Sequence, residues 1–142
     1  MAPRNDRPFF LVISRAELAA LARARLADAE ALRLAGRFDS AVYLCGYAVE
    51  LQLKAAICRT LGWAEFPSSS RDFADLRSFR THDLRVLLLL TGRKAEVVGR
   101  YPEEWNRVSE WNPEMRYTPV GGADEPKARA MLDAATTLLR VL

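Results

Sequence analysis

Apolar residues recur at intervals of three and four along most of this chain, and no segment alternates convincingly at intervals of two. From residue 14 to residue 35, Leu18, Ala22, Leu26, Ala29 and Leu32 form one stripe, with Arg15, Arg23, Glu30 and Arg33 largely off it. That is the period of an amphipathic helix. Ser14 and Glu17 make the S-x-x-E pattern in which each side chain satisfies an amide of the first turn. The helix is therefore expected to open at Ser14, and Gly36 stops it.

The next segment is different in kind. From a cap at Asp39 or Ser40 to Leu61, with Gly62 as the stop, the chain is apolar nearly all round. Its charges in mid-helix are Glu50 and Lys54, four residues apart with the acid first, the favourable order. Tyr43, Tyr47, Glu50 and Lys54 follow at spacings of four, three and four and so share one face. Such a helix must be covered on several sides. In a short chain, a second copy is expected to supply part of that cover. Two long helices joined around Gly36 predict an antiparallel hairpin.

Thr81 predicts the cap of a third helix, from His82 to about Leu90, ended by Gly92. Shorter helical pieces are expected at 94–100 and, after Pro102, at 103–110. Asp124 caps a last helix with Pro126 in its first turn. There Ala128, Met131, Leu132, Ala135, Leu138, Leu139 and Leu142 give the cleanest amphipathic pattern of the chain. Residues 1–13 read as an irregular arm, 63–81 as a long connection, and 111–122 as a loop. The expectation is an all-α fold: an up-and-down bundle of four to five helices over residues 14–142, with a long helical hairpin at its core.

Composition narrows the function classes. The 142 residues are half hydrophobic and 27% charged, ordinary for one globular domain, and the net charge of +3 permits a nucleic-acid partner without requiring one. Cys45 and Cys58 lie about 20 Å apart along one helix, too far to bridge, and read as small buried hydrophobes of a reduced cytoplasmic protein. A single histidine excludes a multi-His metal site from one chain. Phe9 to Ile13 is too short for a signal sequence, and Leu84 to Leu90 too short to cross a bilayer. No membrane association and no cofactor are expected.

Phosphate loops, nucleophile elbows and zinc-protease motifs are absent from the sequence. His82 is the one side chain whose ordinary pKa suits neutral-pH base chemistry. Placed in a first helical turn, it would feel the positive end of the helix. Arg77, five positions earlier, completes a pair fit for RNA cleavage, with His82 moving a proton and Arg77 holding phosphate. Trp105, Trp111, Arg116 and Tyr117 crowd the segment before the last helix. They serve either to stack bases and hold phosphate or to plug the open end of the bundle, and the plug is the favoured reading.

Three pieces of sequence, in order, resemble the HEPN domain (higher eukaryotes and prokaryotes nucleotide-binding). They are Tyr43-Leu44-Cys45-Gly46-Tyr47-Ala48-Val49-Glu50-Leu51-Gln52-Leu53-Lys54-Ala55, then Thr81-His82-Asp83-Leu84, then Trp111 through Arg116-Tyr117. The resemblance implies a homodimer built on the core hairpin and a prokaryotic toxin–antitoxin or defence setting. A small nucleotidyltransferase partner, and RNA or a nucleotide as ligand, are implied with it. Active members are metal-independent endoribonucleases with an Arg followed four to six residues later by a His near the late helix. Here Arg116 stands near that place, but Val120, Gly121 and Gly122 follow and no His does. The resemblance thus implies a non-catalytic binding module using Tyr43, Tyr47, Glu50, Lys54, Arg116 and Tyr117. The alternative is an endoribonuclease toxin using His82 with Arg77 or Arg116.

Overall fold

The computed structural model describes residues 13–69 and 71–142. The arm expected over 1–13 lies outside the described residues, apart from Ile13. The chain is an all-α helical bundle with six α-helices among the described residues: α1 (Arg15–Leu34), α2 (Phe38–Leu61), α3 (Leu84–Leu90), α4 (Lys94–Arg100), α5 (Pro102–Ser109) and α6 (Glu125–Val141). That exceeds the four to five expected. The 94–100 and 103–110 pieces, which read as fragments, form two separate helices divided at Tyr101 by Pro102, which enters α5 as its first residue.

The capping box at Ser14 and Glu17 is made, each side chain holding the other residue's amide at 3.1 Å. Gly36 and Gly62 end α1 and α2 with left-handed φ of 75° and 69°. In between, α1 and α2 form the expected hairpin, and α6 packs against both. Arg33 on α1 binds Glu30 at 2.8 Å and reaches across to Glu125 of α6 at 2.9 Å.

Two caps differ from the sequence reading. α2 starts at Phe38, which puts Arg37, a side chain without an acceptor, at the N-cap and Asp39 inside the first turn. The Asp39 carboxylate oxygens accept from the amides of Gly121 at 2.7 Å and Ala123 at 2.8 Å, and so fasten the loop before α6 to the mouth of the hairpin. α3 is capped by Asp83, which accepts from the Arg85 amide at 2.9 Å, while Thr81 accepts from the Asp83 amide. A carboxylate outcompetes a hydroxyl at the positive end of a helix. His82 therefore lies outside the helix.

The cover of α2 also differs from expectation. No residue from Ala41 to Cys58 is exposed: α1, α3, α5, α6 and the turn at Pro113–Tyr117 all lie against this helix. One chain supplies most of that cover. By length and mean hydropathy α2 alone among the described residues could cross a membrane, yet 72% of its apolar window is buried inside the bundle. It is a core helix. Cys45 and Cys58 are free and buried in it, as expected.

The connection after α2 is not structureless. A two-residue antiparallel strand pair joins Ile13–Ser14 (β1) to Glu65–Phe66 (β2), with Ile13 opposite Phe66. The Arg15 amide donates to the Ala64 carbonyl at 3.0 Å. Trp63 packs on Phe79 at 5.0 Å between ring centroids, and Phe66 on Phe73 at 6.2 Å. Asp72 accepts from the Ser68 and Ser69 amides. The segment is thus folded back as a wall against α2.

Candidate functional site

The face carrying Tyr43, Tyr47, Glu50 and Lys54 opens onto two cavities rather than one. Eleven residues of helix separate Tyr43 from Lys54 by about 16 Å, and different segments cover the two ends.

The first cavity, of about 490 Å³, lies at the mouth of the hairpin. Tyr43 and Arg116 line it, together with Arg37, Lys127 and the loop from Val120 to Ala123. Asp39 is the one acidic residue in its lining, and the Gly121 and Ala123 amides hold its carboxyl below the usual range. Among the described residues neither Arg37, Arg116 nor Lys127 forms an ion pair; the Lys127 ammonium reaches only the Gly122 carbonyl, at 3.4 Å. Arg116 lies over the ring of Tyr117, 4.9 Å from its centroid, and the Tyr117 and Tyr43 hydroxyls hold its charge more firmly still. Tyr117 is 72% exposed and Val120 99%. A cation-rich cleft beside an exposed ring suits a phosphate next to a base.

Trp105 and Trp111 do not belong to that surface. Both are buried and plug the bundle, as favoured from sequence, whereas Tyr117, part of the same reading, stands outside the plug. Trp111 packs against Tyr43, ring centroids 5.8 Å apart, and thereby fixes one wall of the cleft from behind.

The second cavity, of about 620 Å³, lies between α2 and the connection wall. Tyr47, Glu50, Lys54 and His82 meet there. Glu50 is only 2% exposed, a position where an acid needs partners. It has two: its Oε1 takes the Lys54 ammonium at 3.3 Å and a short hydrogen bond from His82 Nδ1. The His82 ring is largely exposed, and the contact to Glu50 engages Nδ1 rather than Nε2. Burial, then the Glu50 charge, raises the Tyr47 phenol above its ordinary pKa.

The catalytic candidates separate. Arg77 is exposed in a 3₁₀ turn and does not line the His82 cavity, and Arg116 lines the other one. The cation that does share the cavity with His82 is Arg80, which sequence reasoning passed over. Phe66, Phe73 and Phe79 were missed as well. No continuous apolar stripe of helix or strand period links them, so no local signal marked them. Among the described residues no group of acids, cysteines and histidine is placed to hold a metal.

Comparison of the chain with protein-family models, curated proteins and solved structures gives no match.

Proposed function

We propose that this chain is a HEPN-type binding module, cytoplasmic and of a prokaryotic toxin–antitoxin or defence system, that holds RNA or a nucleotide at the mouth of its helical hairpin. The observation that carries the reading is the charge of that cleft. Three cations, Arg37, Arg116 and Lys127, line it against one carboxylate, Asp39, whose oxygens accept from two backbone amides while Lys127 and Arg37 act on its charge from beyond ion-pair distance. A net excess of cations in one cleft is what a phosphate chain replaces water and salt ions around. Tyr117 offers the exposed ring on which a base stacks.

The homodimer and the nucleotidyltransferase partner implied by the resemblance belong to the same proposal. One chain buries most of α2, which leaves the half-buried Tyr43, Leu44, Tyr47, Gln52 and Lys54 as the part of that helix a second copy could still cover. The binding test uses a fluorescein-labelled single-stranded RNA and anisotropy. Arg116→Ala is expected to weaken binding about fivefold, near 1 kcal/mol, and Tyr117→Ala by a similar factor through lost stacking. Unchanged affinity in both variants sinks the assignment.

One observation favours a second reading, a metal-independent endoribonuclease. The buried Glu50 carboxylate orients His82 through Nδ1, the arrangement that prepares Nε2 to accept a proton. The comparison is between wild type and His82→Ala, scored for growth arrest and for RNA cleavage in chelator. Equal behaviour of the two proteins removes this reading.

A further inference from the structure

The geometry points to a second binding site, in the cavity between α2 and the connection wall, for an amphipathic organic anion: an apolar body carrying one carboxylate or sulfonate head. Three features converge on that class.

The cavity is built before any ligand arrives. Its outer wall is fastened by the Ile13–Phe66 strand pairing, by the Trp63–Phe79 and Phe66–Phe73 ring contacts, and by the Asp72 carboxylate on two serine amides. At about 620 Å³ it falls in the range of small-molecule sites. Its body is apolar: Leu18 and Leu51 form the α1 and α2 side, and Phe73 and Phe79, both half-buried, stand opposite. Half-buried phenyl rings facing a cavity leave apolar surface in water, and an apolar ligand removes it.

Charge then selects the head group. Glu50 is matched by Lys54 and hydrogen-bonded by His82, so it neither attracts nor repels strongly. Arg80 is different. It lines the cavity, it is exposed, and among the described residues no carboxylate pairs with it; its guanidinium leans on the Phe73 ring at 5.9 Å. One unmatched guanidinium at the edge of an apolar cavity complements one anion, and its planar fork suits a carboxylate or sulfonate. A longer polyanion such as RNA finds no second unmatched cation in this lining; that arrangement belongs to the hairpin mouth.

The test uses anilinonaphthalene sulfonate as the probe on the folded full chain, with decanoate as competitor. Wild type is expected to give saturable one-site fluorescence that decanoate displaces. Arg80→Ala, an exposed position where the fold is retained, is expected to weaken binding at least about fivefold, and Phe73→Ala to a similar extent. Arg107→Ala, an exposed arginine on α5, controls for net charge and is expected to bind as wild type does. Decanoate should also raise the melting temperature of wild type more than that of Arg80→Ala. The inference is overturned if the fluorescence does not saturate, or if Arg80→Ala and wild type bind alike. It is also overturned if single-stranded RNA displaces the probe where decanoate does not, which would assign the cavity to RNA.

Discussion

The ring of Trp111 lies directly on the backbone of Gly46: a β-carbon built at that glycine would sit 2.1 Å from Cδ1 and from Cγ of the indole. Helix propensity alone would favour alanine at position 46 by about 1 kcal/mol. The contact outweighs it, because a side chain of any size displaces the plug. Gly46→Ala is expected to destabilise the fold by about 2 kcal/mol, and Trp111→Ala by about 3–5 kcal/mol. Denaturant unfolding of both variants and of the double variant checks the pairing. The double variant should cost clearly less than the two single losses together.

Glu50 predicts a different kind of loss. Removing a buried acid strands its partners, and Lys54 is itself largely buried at 19% side-chain exposure. Glu50→Ala is expected to cost about 2–3 kcal/mol. His82→Ala, at an exposed ring, should cost below about 1 kcal/mol. Equal losses would show that the wall, and not the carboxylate, carries the stability.

The pH dependence follows from carboxylates. Asp39, Asp72, Glu30, Glu96 and Glu125 all titrate below their usual range: amides hold Asp39, the Ser69 hydroxyl holds Asp72, and arginines hold the three glutamates. A folded-state value below the unfolded one means that the stabilisation is present above the ordinary carboxylate pKa, near 4. It is lost as pH falls through the lowered values. Melting temperature should stay level from about pH 7 to 5 and fall below about pH 4. In Asp39→Asn the fall should be shallower, and the Gly121 and Ala123 amides should exchange hydrogen faster.

Both thiols should be silent in the native protein. Burial pushes Cys45 up to about 12 and raises Cys58 as well. A chromogenic disulfide reagent at pH 8 is expected to find no reactive thiol until denaturant is added, and then both. Fast reaction of one thiol in the native state would contradict the packing of α2.

Much of the bundle was legible in the sequence, and the reasons are local. The Leu18–Leu32 stripe, the Ser14 and Glu17 box, the stops at Gly36 and Gly62 and the Asp124 cap each act within a few residues, and each stands as expected. What escaped is long-range. Asp39 looked like a cap for its own helix, but two amides 82 and 84 residues away take its carboxylate. The connection at 63–81 has no period, because its phenylalanines are placed by contact with one another and with α2. The Tyr43–Lys54 face was correct as a face, yet helix length divides it between two cavities. Glu50 and Lys54 were paired from their spacing, whereas His82 joined them only through folding of the connection.

Salt dependence tests the proposed phosphate-binding cleft at the hairpin mouth. The measurement is RNA affinity by anisotropy between about 50 and 200 mM salt, for wild type and for the combined Arg37→Ala, Arg116→Ala and Lys127→Ala variant. Each phosphate contact on a single strand adds about 0.7 to the slope of log affinity against log salt. The variant is expected to bind more weakly, with a slope shallower by about 2. Equal slopes for the two proteins would contradict it.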